Sequence, residues 1–224
     1  MAAPTLIFDL DGTLVDTAPD LLGALNAILV REGRRAVNHA DLRHLVGHGA
    51  RIMLEESFKM TGDAMDADRL PGLIDEYIAH YKKHVAVASR PFPGVEATLT
   101  ALATAGSKLG VLTNKPQELT DLLLDELDLA RYFAAIYGAG RMSYTKPDAR
   151  IFHDVVRDAA GAEVDPRGAI MVGDSITDLL TARAANAKVI LVTYGYTPEP
   201  VESMGADAVT NEFAEIPAII KRWM

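Results

Sequence analysis

The chain has 224 residues and a formal charge of −9 at pH 7, from 22 basic and 31 acidic side chains, which argues against general binding to nucleic acid or an anionic membrane surface. At 49% hydrophobic and 24% charged it has the composition of a folded globular protein, one large domain or a domain with an insertion. The absence of cysteine excludes disulfides, thiolate metal sites and cysteine nucleophiles, and no apolar stretch approaches the ~20 residues of a membrane span.

The chain starts without a basic leader region, so no signal peptide and a cytoplasmic protein are expected. Thr5 to Phe8 is a short apolar run that stops at Asp9. Because it is continuous rather than alternating, it predicts a buried strand of a parallel sheet. Residues 16–89 then carry helical periodicity without a convincing strand, which predicts an inserted helical domain. Thr17, Pro19 and Asp20 supply an N-cap, an early proline and an acidic first turn, and Leu21, Leu22, Leu25, Ile28 and Leu29 mark one apolar face. Further helices fit Ile52 to Phe58 and Leu70 to Val87, and the stretch from Ser89 to Gly94, with Pro91 and Pro93, makes a hinge back.

Beyond the hinge, helices and strands alternate. Val95, Leu99, Leu102 and Ala103 predict a helix, Leu109 to Leu112 a strand, and Leu119, Leu122, Leu123 and Leu127 a helix opening at Pro116. Ala135 to Tyr137 is a strand, Ile151, Phe152, Val155 and Val156 a helix, and Ala169 to Val172 and Val189 to Val192 two more strands. The pattern predicts an α/β fold, a doubly wound and mainly parallel sheet, with residues 1–15 and 90–224 as its core and 16–89 as the helical insertion.

Asp9 and Asp11 lie two residues apart at the end of the first strand, where side chains of that spacing project to one side. Asp11-Gly12 also suits a hairpin turn. A second acidic pair, Asp174 and Asp178, follows another buried strand, where Asp174 and Ser175 could instead merely cap the next helix. If the two strands are neighbours, Asp9, Asp11 and Asp174 converge and repel one another unless a hard cation such as Mg²⁺ sits among them. A third strand end offers Thr113 and Asn114 before a helix, a place suited to phosphate oxygens or to simple capping, and Lys146 precedes a helix with Pro147 in its first turn.

In order along the chain, Asp-x-Asp-Gly-Thr-Leu-Val-Asp-Thr at 9–17, Thr113, Lys146-Pro147 and Gly-Asp-Ser-x-x-Asp at 173–178 resemble the haloacid dehalogenase superfamily of aspartate-nucleophile phosphatases. The resemblance spans the whole chain, with residues 16–89 where that family carries its type 1 helical cap on a Rossmann-like core. It implies that Asp9 is the nucleophile, forming an aspartyl phosphate, and that Asp11 is the general acid and then base. It also implies that Asp9, the Asp11 carbonyl and Asp174 hold Mg²⁺, and that Thr113, Asn114 and Lys146 bind the phosphoryl oxygens. Asp178 would orient Lys146 or metal-bound water.

The presence of Asp11 separates the chain from the dehalogenases and phosphonatases of that superfamily, which lack it. Within the phosphatases the chain is most similar to the bacterial phosphoglycolate phosphatase group, on Val46 to Arg51, Pro91 to Val95, Leu112 to Pro116 and Tyr194-Gly195-Tyr196. It departs from that group's common Lys-Pro-x-Pro, reading Lys146-Pro147-Asp148-Ala149. The resemblance implies a monomeric or homodimeric enzyme acting on a small-molecule phosphate ester, 2-phosphoglycolate first; a sugar phosphate, a nucleotide or pyrophosphate are alternatives, as is a regulatory binding role. The glycines around His48 could lower His48 and Arg51 onto a substrate carboxylate, or make only a turn between helices. His44 with His48 and His80 with His84 have zinc-ligand spacing but lack a zincin glutamate, and Gly47-x-Gly49 lacks the third glycine of a dinucleotide site.

Overall fold

A computed structural model describes residues 3–42, 45, 49–162 and 164–224. In chain order the elements are β1 (Thr5–Phe8), β2 (Val15–Asp16), α1 (Ala18–Arg31), α2 (His39–Leu42), α3 (Ala50–Thr61) and α4 (Leu70–Lys82). There follow β3 (Arg90–Pro91), α5 (Val95–Thr104), β4 (Lys108–Pro116), α6 (Gln117–Glu126), β5 (Ala135–Ala139) and α7 (Ala149–Ala160). The chain ends with β6 (Ile170–Gly173), α8 (Ile176–Ala184), β7 (Lys188–Val192), β8 (Ala208–Thr210) and α9 (Ile216–Lys221).

Six strands form one parallel sheet in the order β5-β4-β1-β6-β7-β8. β1 is fully buried because both its faces are covered: Leu6 and Phe8 enter one apolar cluster and Ile7 the opposite one. The same alternation runs through β6, where Ile170 and Val172 oppose Met171, and through β7, where Ile190 opposes Val189 and Leu191. Each such side chain contributes ~1.5–3 kcal/mol by leaving water. The fold is therefore the doubly wound α/β sheet expected from the alternating pattern. The strand order reverses at β1, between β4 and β6, and at such a switch point the carboxyl ends of strands leave a crevice for a ligand.

Between β1 and β4 the helices α1 and α3 pack on α4, and the chain leaves and returns through β2 and β3, which pair antiparallel with Val15 opposite Pro91 and Asp16 opposite Arg90. Four local expectations differ from the structure. Helix α4 stops at Lys82 rather than Val87, because the amides of Lys83 and His84 bond back only three residues and the turn tightens and ends. Thr17 does not cap α1 with its side chain: the amides of Thr17 and Ala18 donate instead to the Tyr196 hydroxyl, at 2.7 and 2.9 Å. Pro116 is still paired in β4, so α6 opens at Gln117. Asp148 caps α7 by accepting from the Arg150 amide at 2.9 Å, which leaves Pro147 outside the helix. Among the described residues no helix is long and apolar enough to cross a membrane.

Candidate active site

The ends of β1, β4 and β6 open into a cavity of about 370 Å³, walled on the far side by Leu21, Met53, Tyr77, Ile78 and Tyr81. Asp9 follows β1 directly, and its amide donates to the Val172 carbonyl at 2.9 Å, which locks this strand end to β6. Lys146, preceded by irregular chain and joined to Pro147 by a cis peptide bond, sends its ammonium into the same space. Its Nζ lies 2.6 Å from Asp178 Oδ1 and 2.9 Å from Asp9 Oδ1. Burial alone would lower the lysine's pKa, but the carboxylates of Asp178 and Asp9 outweigh it and hold the ammonium above the ordinary lysine value.

Asp178 accepts four hydrogen bonds. Its Oδ2 accepts from the Asp174 amide, the Ser175 amide and the Ser175 hydroxyl at 3.2, 3.1 and 2.7 Å, while Oδ1 takes Lys146. Three of these bonds fall on Oδ2 and Lys146 takes one lone pair of Oδ1, so Asp178 has less capacity left for an ion than Asp174, although one of its oxygens falls within 4.8 Å of those of Asp9 and Asp174. It positions Lys146 and closes the N-terminal turn of α8 at once.

Asp174 has room. Its Oδ2 accepts one bond from the Tyr196 amide at 2.8 Å and its Oδ1 one from the Thr13 hydroxyl at 3.2 Å, leaving a lone pair on each. Asp9 Oδ1 is buried without a hydrogen bond, since Lys146 approaches it outside hydrogen-bonding direction. Burial pushes the Asp9 carboxyl up to about 7 despite Lys146, and burial with the charges of Asp178 and Asp9 pushes Asp174 well up too. Two desolvated carboxylates with free lone pairs, side by side, fit the all-oxygen demand of Mg²⁺.

The backbone around Asp174 is shaped for it. A Cβ on Gly12 would stand 2.6 Å from Asp174 Oδ2, and Gly12 also has φ +82, where only glycine is unstrained. A Cβ on Gly195 would stand 2.2 Å from the same carboxylate. The two glycines let the chain close on Asp174 from both sides.

The Asp11 carboxylate does not join that group. It turns toward β4, where Lys115 Nζ donates to its Oδ1 at 3.0 Å, so a metal contact from Asp11 would be left to its carbonyl. Thr113 is buried within β4 with its Oγ1 accepting from the Lys115 amide at 3.1 Å, and Asn114 Nδ2 donates to the Lys146 carbonyl at 3.3 Å.

Arg51 faces solvent and pairs with Glu55 at 3.4 Å, because Ala50 and Met53 form the cavity face of α3 and Arg51 is rotated off it. His48 lies outside the described residues. Sequence reasoning missed Lys115 and Tyr196. Lys115 stood in plain view two residues after Thr113, but a lone lysine reads as solvated, and Tyr196 reaches Asp16, Thr17 and Asp174 only through the fold.

Residues 6–192 match the family model described as haloacid dehalogenase-like hydrolase. The chain is 46% identical to a phosphoglycolate phosphatase of Caulobacter vibrioides over 95% of this chain and 89% of that protein. It is 42% identical to a phosphoglycolate phosphatase of Agrobacterium fabrum, over 98% and 94%. The crystal structure of a predicted phosphoglycolate phosphatase from Haemophilus somnus is similar with a TM-score of 0.90 and 26% identity, covering 97% of each chain. With more than half its length matched and relatives this similar over nearly their whole length, the chain belongs to the haloacid dehalogenase-like hydrolase family.

Proposed function

We propose that this haloacid dehalogenase-like phosphatase is Mg²⁺-dependent and hydrolyses a small anionic phosphomonoester, 2-phosphoglycolate, to glycolate and phosphate through an aspartyl phosphate on Asp9. The observation that carries this reading is the buried Lys146 ammonium fixed between Asp9 and Asp178. A carboxylate attacks an anionic phosphoryl group only where cations offset the repulsion, and Lys146 is held at that spot by the hydrogen-bonded carboxylate of Asp178.

In this reading an Asp9 oxygen attacks phosphorus as the bond from phosphorus to the ester oxygen breaks, and Asp11 gives its proton to the departing alkoxide. Asp11 then takes a proton from water as that water attacks the phosphorus on Asp9, which frees Asp9 and inorganic phosphate. Lys146, Thr113 and Asn114 hold the phosphoryl oxygens through both steps. Mg²⁺, held by Asp9, Asp174 and the Asp11 carbonyl, would supply further positive charge to those oxygens. Residues 16–89 act as a cap whose apolar wall excludes bulk water and limits the leaving group to a small one.

The choice of 2-phosphoglycolate is supported by the activity for which the Caulobacter and Agrobacterium relatives are named. Steady-state kinetics with Mg²⁺ on 2-phosphoglycolate, sugar phosphates, nucleotides and p-nitrophenyl phosphate, each with an EDTA control, test it. A kcat/KM preference for 2-phosphoglycolate that EDTA removes is expected. Flat, metal-dependent activity over the panel would refute the substrate, and absence of any turnover would refute the phosphatase.

A further inference from the structure

The mechanism gives Lys115 no task, yet it is only 6% exposed and sits at the cavity. An ammonium carries three protons; one goes to Asp11 Oδ1 at 3.0 Å and one to the Tyr81 hydroxyl at 2.8 Å, and among the described residues the third has no acceptor. Tyr81 accepts from Lys115 while its own proton also lacks an acceptor among those residues. One turn earlier on α4, Tyr77 stacks parallel to Tyr81 with ring centroids 6.1 Å apart. Tyr77 is among the residues that line the cavity, and its hydroxyl is buried with no hydrogen-bond partner among the described residues.

Three groups with unused protons thus stand on one side of the cavity, next to the apolar side chains of Leu21, Met53 and Ile78. Burial raises the pKa of both tyrosines, with nearby Asp11 adding to it, so they stay neutral donors. Unused buried donors cost free energy until an acceptor arrives, and a cation flanked by hydroxyls asks for an anion. The spacing limits where that anion sits on the substrate. In the proposed mechanism the ester oxygen would lie within hydrogen-bond reach of Asp11, and Lys115 stands one hydrogen bond beyond Asp11, so an anion held by Lys115 would lie close to the ester oxygen, where a carboxylate on the neighbouring carbon can reach it.

We propose that Lys115, with the hydroxyls of Tyr77 and Tyr81, forms a subsite for a carboxylate on the carbon next to the ester carbon, so that the enzyme selects O-phosphorylated 2-hydroxy acids. The inference rests on the phosphatase reading above and adds the residues that would choose the substrate. Lys115 reaches the site from β4 and the tyrosines from α4, so the carboxylate would also tie the helical segment to the sheet.

The test compares kcat/KM for 2-phosphoglycolate with that for 2-hydroxyethyl phosphate, its counterpart of similar size without the carboxylate, and follows p-nitrophenyl phosphate as a measure of phosphatase chemistry. Lys115→Met should lower the ratio of the first two roughly 10- to 100-fold, with the loss falling on KM rather than on kcat and with Lys115→Arg recovering part of it. Tyr77→Phe, which removes one oxygen and keeps the ring, should lower the same ratio by a few-fold. An unchanged ratio in Lys115→Met, with kcat falling equally on both esters, would mean that Lys115 only positions Asp11, and would overturn the subsite. An unchanged ratio in Tyr77→Phe would remove the tyrosine from it. Wild-type protein without activity on p-nitrophenyl phosphate would instead overturn the phosphatase reading itself.

Discussion

Asp20, in the first turn of α1, accepts both the amide and the hydroxyl of Ser89, each at 2.7 Å, across 69 residues of chain. The Ala88 amide adds two longer bonds to the same carboxylate, so the outgoing and returning connections of the helical segment are fastened to each other. Charge-assisted bonds of this kind are worth more than neutral ones, and removing the acceptor strands buried donors. Asp20→Ala should therefore cost about 2–4 kcal/mol, seen as a melting temperature lower by roughly 5–15 °C. A shift under about 1 °C would show that the fastening contributes nothing.

The nucleophile assignment predicts that Asp9→Asn loses all measurable turnover while melting close to the wild type, since volume is kept and a raised carboxyl is replaced by a neutral amide. Substantial residual turnover would refute it. The acid role predicts an unequal loss in Asp11→Asn: about 10²- to 10⁴-fold in kcat on alkyl phosphates and much less on p-nitrophenyl phosphate, whose leaving group departs without a proton. Equal losses on both would leave Asp11 as a positioning residue.

Asp9 was legible early because it ends a strand, and the strands were legible because a sheet covered on both faces writes continuous apolar runs; the spacing of Asp11 did not fix its side chain, which turns to Lys115 instead of joining Asp9. Convergence of Asp9 with Asp174 was conditional on β1 lying beside β6, which no local pattern encodes. The rest lay below the reach of local pattern. β8 is three residues at the sheet edge, β2 and β3 are two residues each, and none can display a period. Asp20 read as the acidic first turn of a helix, and only the fold shows its carboxylate spanning to Ser89. Tyr196 replaces the expected Thr17 cap from 178 residues away.

The proposed Mg²⁺ site, built on raised carboxyls, predicts how stability depends on the metal. Asp9, up to about 7 against an ordinary 3.8, and Asp174, raised as well, bind protons in the folded metal-free protein that the unfolded chain has released. The unfolded state therefore binds fewer protons between these values, and metal-free stability falls as pH rises through that window. Mg²⁺ held as proposed would require both carboxylates ionised, so at low pH it would first have to displace protons. Thermal melts should show Mg²⁺ at ~100 times its Kd stabilising by about 2.7 kcal/mol near pH 8, or roughly 5–10 °C, and clearly less near pH 5.5. Equal stabilisation at both pH values would contradict a site built on Asp9 and Asp174.

Gly195 tests the same site without touching a ligand. A Cβ there would stand 2.2 Å from the Asp174 carboxylate, far inside contact distance, and Asp174 cannot swing away without giving up the Tyr196 amide or the Thr13 hydroxyl. Gly195→Ala should therefore move Asp174 and weaken Mg²⁺, with the concentration for half-maximal activity rising about 10- to 100-fold, the usual effect of disturbing what orients a ligand. Activity at saturating Mg²⁺ should recover much of its wild-type level, because Asp9, Asp11 and Lys146 keep their places. Asp174→Asn should lose affinity without such recovery, since it removes the charge rather than displacing it. A Gly195→Ala enzyme with wild-type Mg²⁺ dependence would show that the close approach at Gly195 does not set the position of Asp174.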